Sequence, residues 1–386
     1  MMELYVHIPF CVQKCKYCDF LSGNYDVKLR ERYTYALITE IESYKERFLN
    51  ETVSSIYIGG GTPTHLEVVF MQRIFDAIYQ NFTVEEDAEI TMECNPGTSG
   101  LEAFKIYRHM GVNRLSIGLQ SANDDELELL GRIHSFEKFE TTFREARLAG
   151  FDNISVDIMT GLPYQTWNKL SNTIKKVTYL KPEHISCYSL IVEKGTEFYE
   201  TYKEDLERKE KDLETDALPD NDMEYELYKR AQQMLEEKGY HQYEISNYAK
   251  EGKECKHNIG YWKRVPYLGL GLGAASLIDE VRYTNEANIS SYIEKCETEE
   301  SVRMDEVELS KRDAMSEYMY LGLRMNKGVV RQEFFDAFQI TVEAVFGKVI
   351  KKNQAAGLLN VAEGRVFLTE QGMDVSNRVM ADFLLD

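Results

Sequence analysis

Three cysteines near the start of the chain, Cys11, Cys15 and Cys18, follow the spacing C-x3-C-x2-C. Three thiolates on one short loop can each hold one iron of a 4Fe–4S cluster and leave the fourth iron without a protein ligand. Clusters that only carry electrons are ordinarily closed by four cysteines. An open iron is what a cluster needs if it is to bind a substrate. Zinc is the other chemistry of clustered cysteines, but its sites favour paired C-x2-C units or Cys/His sets that close a tetrahedron. No second pair exists, because Cys94, Cys187, Cys255 and Cys296 are scattered. The remaining alternative is three unrelated buried thiols. Residues 4–7 read as a short strand and a long helical pattern begins near Asp26. The cysteines therefore belong on a loop at the C-terminal end of a first strand, where α/β barrels put their chemistry.

The run from Tyr5 to Phe20, with the aromatic Tyr17 before the last cysteine, resembles the signature of the radical S-adenosylmethionine (SAM) enzymes. The resemblance implies that the amino and carboxylate groups of SAM chelate the open iron. It also implies that electron transfer from the cluster cleaves SAM to methionine and a 5′-deoxyadenosyl radical. The protein then supplies position and exclusion of water.

Further polar residues fall where such a ligand would need them. Gly59-Gly60-Gly61-Thr62-Pro63 directly follows a second predicted strand. Glycines there let the backbone approach a ligand and present N–H and C=O groups to it. Glu93 and Gln120 end the third and fourth predicted strands, and Asp157 sits in the fifth. Isolated polar groups at the ends of apolar strands do not serve stability; they suit ribose hydroxyls and an amine. Arg132 offers a planar fork for the methionine carboxylate.

The elements that must position these residues alternate. Predicted strands over 4–7, 55–58, 89–93, 114–119, 154–159 and 184–190 are separated by helical patterns over 26–50, 66–80, 100–110, 124–130 with 136–149, and 166–180. Repeated βα units imply a parallel sheet with right-handed crossovers. Periodicity leaves a doubly wound sheet open; the radical SAM resemblance implies a partial (β/α)6 barrel. A charge-dense stretch over 193–220 reads as a solvated loop or exposed helix. A helix over 222–238 and strands over 240–246, 267–277 and 281–285 follow. From about residue 306, helices over 310–324, 331–338 and 342–356, a hairpin around Glu363-Gly364, and a last helix over 370–384 read as a winged-helix-like unit. The expected division is an α/β barrel over 1–220, an α+β extension over 221–305 and the winged-helix-like domain over 306–386.

Composition narrows the partners. The 386 residues carry a net charge of −20, which argues against a nucleic-acid partner and against electrostatic binding to an anionic membrane. No apolar run approaches a membrane span of about 20 residues. The chain enters a strand at once, with no signal-peptide pattern. Seven cysteines without a pairing pattern suit a reducing cytosol. The expectation is therefore a cytoplasmic protein.

Taken together, His7-Ile8-Pro9-Phe10-Cys11, Gly59 through Thr64, Glu93-Cys94-Asn95-Pro96, Arg114 through Ser121 and Asp157 through Pro163 resemble the oxygen-independent coproporphyrinogen III oxidase-like branch of the radical SAM proteins. That resemblance implies that Glu93, Gln120, Arg132 and Asp157 contact SAM. The branch holds coproporphyrinogen III dehydrogenases and heme chaperones. The dehydrogenases carry a further cysteine two residues after the third cluster ligand, where this chain has Phe20, and a longer N-terminal extension. The chaperones carry His-Asn-x-x-Tyr-Trp, here His257-Asn258-Ile259-Gly260-Tyr261-Trp262. The expected function is therefore heme binding and delivery to acceptor hemoproteins, membrane respiratory enzymes among the candidates, with an electron donor for the cluster. The alternative is oxidative decarboxylation of coproporphyrinogen III. His257 offers an imidazole for heme iron, with Tyr261 and Trp262 to pack on the porphyrin. Cys255 is a second candidate ligand, while His7 and His65 read as structural or as neighbours of the SAM pocket.

Overall fold

The computed structural model describes residues 1–385. Strands β1 (Met2–Ile8), β2 (Thr52–Gly60), β3 (Thr83–Cys94), β4 (Arg114–Gln120), β5 (Ile154–Thr160) and β6 (His184–Ser189) lie side by side in chain order, all parallel. The helices between them are α1 (Val27–Ser43), α2 (Val68–Asn81), α3 (Leu101–His109), α4 (Asp124–Leu129) with α5 (Phe136–Leu148), and α6 (Trp167–Tyr179). A doubly wound sheet would reverse its strand order at a switch point; this one does not, and it is the partial (β/α)6 barrel.

The strand period of two sorts the side chains. Leu4, Val6 and Ile8 of β1 are fully buried in the apolar layer shared with Leu37 and Ile41 of α1. Glu3, Tyr5 and His7 alternate with them, and the same phase puts Ser55 and Tyr57 of β2 beside them on the concave face. Glu89 and Thr91 follow in register on β3, and Asp157 pairs across β5 and β6 with Ser186. The interior of the curved sheet is therefore polar and aromatic, and its outer face is aliphatic.

The charged stretch after β6 contains α7 (Glu197–Glu210), which buries Phe198 and Tyr202. Helix α8 (Asn221–Glu237) leads into β7 (His241–Glu244) and β8 (Asn247–Ala249). The single strand expected over 240–246 is instead an antiparallel hairpin, and β8 pairs with β6.

Next comes α9 (Lys256–Trp262), a short helix within a segment that reads as strand-rich. Its cause is tertiary. Glu89 of β3 accepts from the backbone N–H groups of Lys256 (3.1 Å) and His257 (3.2 Å), so a carboxylate from another element caps the helix start.

The strand expected over 267–277 is two, β9 (Tyr267–Leu270) and β10 (Ala275–Ile278). They are broken at Gly271, whose φ of +96° no strand residue adopts. With β11 (Val281–Asn285), α10 (Ile289–Glu297) and β12 (Arg303–Glu308), they extend the sheet beyond β1. The twelve-stranded order is β12-β11-β10-β9-β1-β2-β3-β4-β5-β6-β8-β7, with β9 parallel to β1.

The last unit has its own apolar core around Phe334, Phe346, Val366 and Phe383. It comprises α11 (Lys311–Gly322), β13 (Val329–Val330), α12 (Arg331–Phe338), α13 (Val342–Ala355), β14 (Leu359–Ala362) and β15 (Arg365–Leu368). Helix α11 starts on a capping box of Ser310 and Asp313. The three strands order as β13-β15-β14. The single helix expected over 370–384 is two, α14 (Glu370–Asp374) and α15 (Ser376–Ala381), because Val375 leaves the helical region (φ −120°, ψ 31°). Among the described residues no helix is long and apolar enough to cross a membrane.

Candidate functional site

The C-terminal ends of β1 to β6 surround a cavity of about 320 Å³. Cys11, Cys15 and Cys18 line it, with Gly60, Gly61, Thr62, Glu93, Gln120, Arg132 and Asp157. Gly59 stands just behind, where a Cβ would come within 3.1 Å of the Glu93 carboxyl. Residues spread over nearly 150 positions thus meet in one space. No three His, Cys, Asp or Glu side chains among the described residues close round a single metal ion. A 4Fe–4S cluster asks for something different, one thiolate for each of three irons around a cavity.

Cys94 also lies on this wall, but burial pushes its thiol up to about 11, so it stays protonated. Gly60 has φ +113°, and a Cβ there would sit 2.5 Å from the His7 ring. His7 is fixed in turn by Tyr5 Oη on Nδ1 (3.0 Å) and by the Leu21 carbonyl on Nε2 (2.8 Å). His65 lies outside the cavity lining, bonded to Arg30 (2.9 Å).

The polar groups are held in tension with their surroundings. Glu93 accepts from Tyr57 Oη (3.0 Å) and the Gly60 N–H (3.1 Å). Desolvation, then the charge of Asp157, pushes it up to about 7. Asp157, held by Ser116 (3.2 Å), is pushed up to about 6 by desolvation. A cationic or hydroxyl-bearing ligand would relieve both. Gln120 adopts φ +73° at a register shift between β4 and β5, with Tyr188 Oη donating to its Oε1 (3.0 Å). A non-glycine residue held there is strained, and such strain collects at ligand sites.

Arg132 donates to Asn95 Oδ1 (2.7 Å) and to the Gly118 carbonyl, and lies 3.5 Å from Cys15 Sγ. Its Nε is buried without a protein partner. An orphaned guanidinium N–H beside the cysteine loop fits a carboxylate ligand.

A second cavity, about 650 Å³, opens at the other end of the concave face. Tyr5, Tyr57, His257, Tyr261, Trp262 and Tyr267 line it, with Leu277 and with Leu321 of α11. Arg264 and Arg282 stand in its wall, both paired with Glu317 (2.8 Å each). Trp262 Nε1 is buried without a partner, and Arg324 lies over the indole at 4.3 Å.

His257 is only 1% exposed. Its Nδ1 is 2.8 Å from Ser55 Oγ and its Nε2 3.0 Å from Tyr261 Oη. Desolvation, then Arg114, takes its pKa down to about 3, so the ring is neutral. Cys255 is not brought into the cavity. It is fully buried against Glu89 (3.3 Å), its thiol pushed up to about 12 by burial.

Sequence reasoning passed over Tyr57, Asn95 and Tyr188. Tyr57 carries a signal, as an inward-phase aromatic on a strand that ends in the glycine run; Tyr188 stands on β6, where no candidate residue pointed to the cavity. Asn95 had only its place after Glu93.

Comparison with known proteins agrees with this geometry. The family model of the Radical SAM superfamily matches residues 5–177, and that of the HemN C-terminal domain matches 309–375. The chain is 36% identical to the heme chaperone HemW of Bacillus subtilis, covering 100% of this chain and 99% of that protein. It is 33% identical to HemW of Haemophilus influenzae, covering 96% of each. The structure is similar to that of coproporphyrinogen III oxidase (HemN) from Escherichia coli, a radical SAM enzyme. The TM-score is 0.85 at 23% identity, covering 99% of this chain and 90% of that one; at this identity the likeness speaks for the fold. On the strength of the full-length matches, the chain belongs to the HemW family of radical SAM proteins.

Proposed function

We propose that this chain is a heme chaperone: it takes heme into the aromatic cavity and passes it to acceptor hemoproteins in the cytoplasm or at a membrane. Cys11, Cys15 and Cys18 hold a 4Fe–4S cluster, and the polar cavity holds SAM. The observation that carries this reading is the pairing of the two cavities, which share Tyr57 as a common wall. One is lined by thiols, carboxylates and an arginine. The other is aromatic, and its volume of about 650 Å³ suits a tetrapyrrole. When bound, the cluster supplies the electron for reductive SAM chemistry.

The chain's own residues do the rest. Arg132 takes the methionine carboxylate on its free Nε. Glu93 turns one oxygen to the SAM amine while Tyr57 and Gly60 hold the carboxyl in place. Gln120 and Asp157 suit the ribose hydroxyls. Gly59 to Thr62 let the ligand approach the backbone. His257, Tyr261 and Trp262 are the residues proposed to meet heme, and Arg264 and Arg282 suit its carboxylates.

Decarboxylation of coproporphyrinogen III is the weaker reading, since Phe20 stands where that enzyme has a further cysteine. Anaerobic reconstitution followed by parallel assays separates the two. Heme uptake without decarboxylation supports the chaperone; catalytic formation of protoporphyrinogen IX overturns it.

A further inference from the structure

We infer that Tyr261, and not His257, is the side chain that binds the heme iron, with His257 as the positioning residue behind it. This rests on the heme-binding reading above. The two residues are one turn apart on α9, an i,i+4 pair that shares a face.

His257 is poorly placed to ligate. Both ring nitrogens are engaged, and the ring is sandwiched by the stacked Tyr57 (centroids 5.3 Å, planes 28°). Reaching an iron through Nε2 would mean displacing Tyr261 from a ring that is only 1% exposed. Tyr261 is only half-buried and lines the cavity. Its ring is fixed edge-on between His257 (4.7 Å, 68°) and Tyr267 (4.6 Å, 69°). A tyrosine oxygen is an established axial ligand for heme iron.

The surroundings provide for the proton that coordination displaces. With Ser55 Oγ donating to Nδ1, the neutral His257 ring presents its Nε2–H to the Tyr261 oxygen. Coordination replaces the phenolic O–H bond with an O–Fe bond, the proton leaves to solvent through the open cavity, and Nε2–H then donates to the phenolate oxygen.

Two neighbouring phenols are less suited. Tyr57 Oη is committed to Glu93. Tyr5 bonds His7 Nδ1 in a similar way, but His7 is held from behind by the Leu21 carbonyl.

The test uses the full chain with its cluster reconstituted, titrated with ferric hemin under anaerobic conditions. Iron–sulfur absorbance serves as the check on folding. Wild type should give a high-spin ferric spectrum with a phenolate-to-iron charge-transfer band. Tyr261→Phe should lose that band and bind roughly tenfold or more weakly. His257→Gln should keep the band with weaker affinity, and Tyr5→Phe should keep the band. A wild-type spectrum and affinity in Tyr261→Phe overturns the assignment, as does an imidazole-type spectrum in wild type that vanishes in His257→Gln. Loss of the band in Tyr5→Phe alone moves the ligand to Tyr5 and equally overturns it. A wild-type chain that takes up no hemin sinks the heme reading itself.

Discussion

The ring of Tyr57 lies face to face with that of His257, centroids 5.3 Å apart. Because Tyr57 Oη also donates to Glu93 at 3.0 Å, one side chain touches the key polar group of each cavity. The two functions of the residue can be separated chemically. Tyr57→Phe keeps the ring and removes the bond to Glu93. SAM affinity should fall by about 1.5–3 kcal/mol, the worth of a hydrogen bond to a charged group, while heme affinity stays near wild type. Calorimetric titration of each ligand checks this; equal SAM affinity in the variant would detach the hydroxyl from SAM binding.

The raised carboxyls make the ligand-free protein sensitive to alkali. Glu93 is moved from 4.5 to about 7 and Asp157 from 3.8 to about 6. Between the unfolded and folded values the native state holds more protons than the unfolded state, so stability falls as pH rises across roughly pH 4 to 7. Glu93→Gln should therefore stabilise the unliganded protein more at pH 8 than at pH 5, by on the order of 2 kcal/mol. Urea midpoints at the two pH values test the sign. A gain larger at pH 5 would contradict the desolvation argument.

Ligand count sets the cluster prediction. Cys15→Ala leaves two thiolates for the cavity and should abolish bound iron, sulfide and the broad visible absorbance. Cys296→Ala, buried beside α1 and remote from that cavity, should retain all three. Full iron content in Cys15→Ala removes the cluster from this loop.

Arg132→Lys retains the charge but loses the fork and the free Nε. SAM should bind at least about 2 kcal/mol more weakly, within the range of roughly 2–5 kcal/mol for losing a desolvated charged contact. Cluster content should be unchanged. Undiminished SAM affinity would place the carboxylate elsewhere.

Gly60→Ala is the backbone test. The left-handed φ and the His7 ring at 2.5 Å from the new Cβ should cost roughly 2 kcal/mol or more in stability. His7 would be displaced from Tyr5 and Leu21. A chemical denaturation curve superimposable on wild type would show that the turn relaxes freely.

Much of the barrel could be read from its amino acids because its information is local. Leu4, Val6 and Ile8 alternate with inward residues, so the strand period is visible in the sequence. Several SAM-cavity candidates were legible for the same reason: the glycine run, Glu93 and Gln120 stand at strand ends. The extension was not. Helix α9 is seven residues long and is capped by Glu89, 167 positions before Lys256, so no local pattern announces it. The surroundings of His257 were hidden likewise, since Ser55 and Tyr57 reach it from β2. A motif that could be spotted by its residues could not disclose that its histidine is already fully bonded.

The pairing of β1 with β9 has a consequence in time. β1 ends at Ile8, and its second neighbour begins at Tyr267. Ribosomes add about 5–20 residues per second, so one flank of β1 stays unpaired for roughly 13 to 50 s after that strand is made. During that interval β1 pairs with β2 alone. The same open edge is a template for another chain. A ribosome stalled between residues 60 and 266 would therefore hold a nascent protein with one bare strand edge, prone to aggregate.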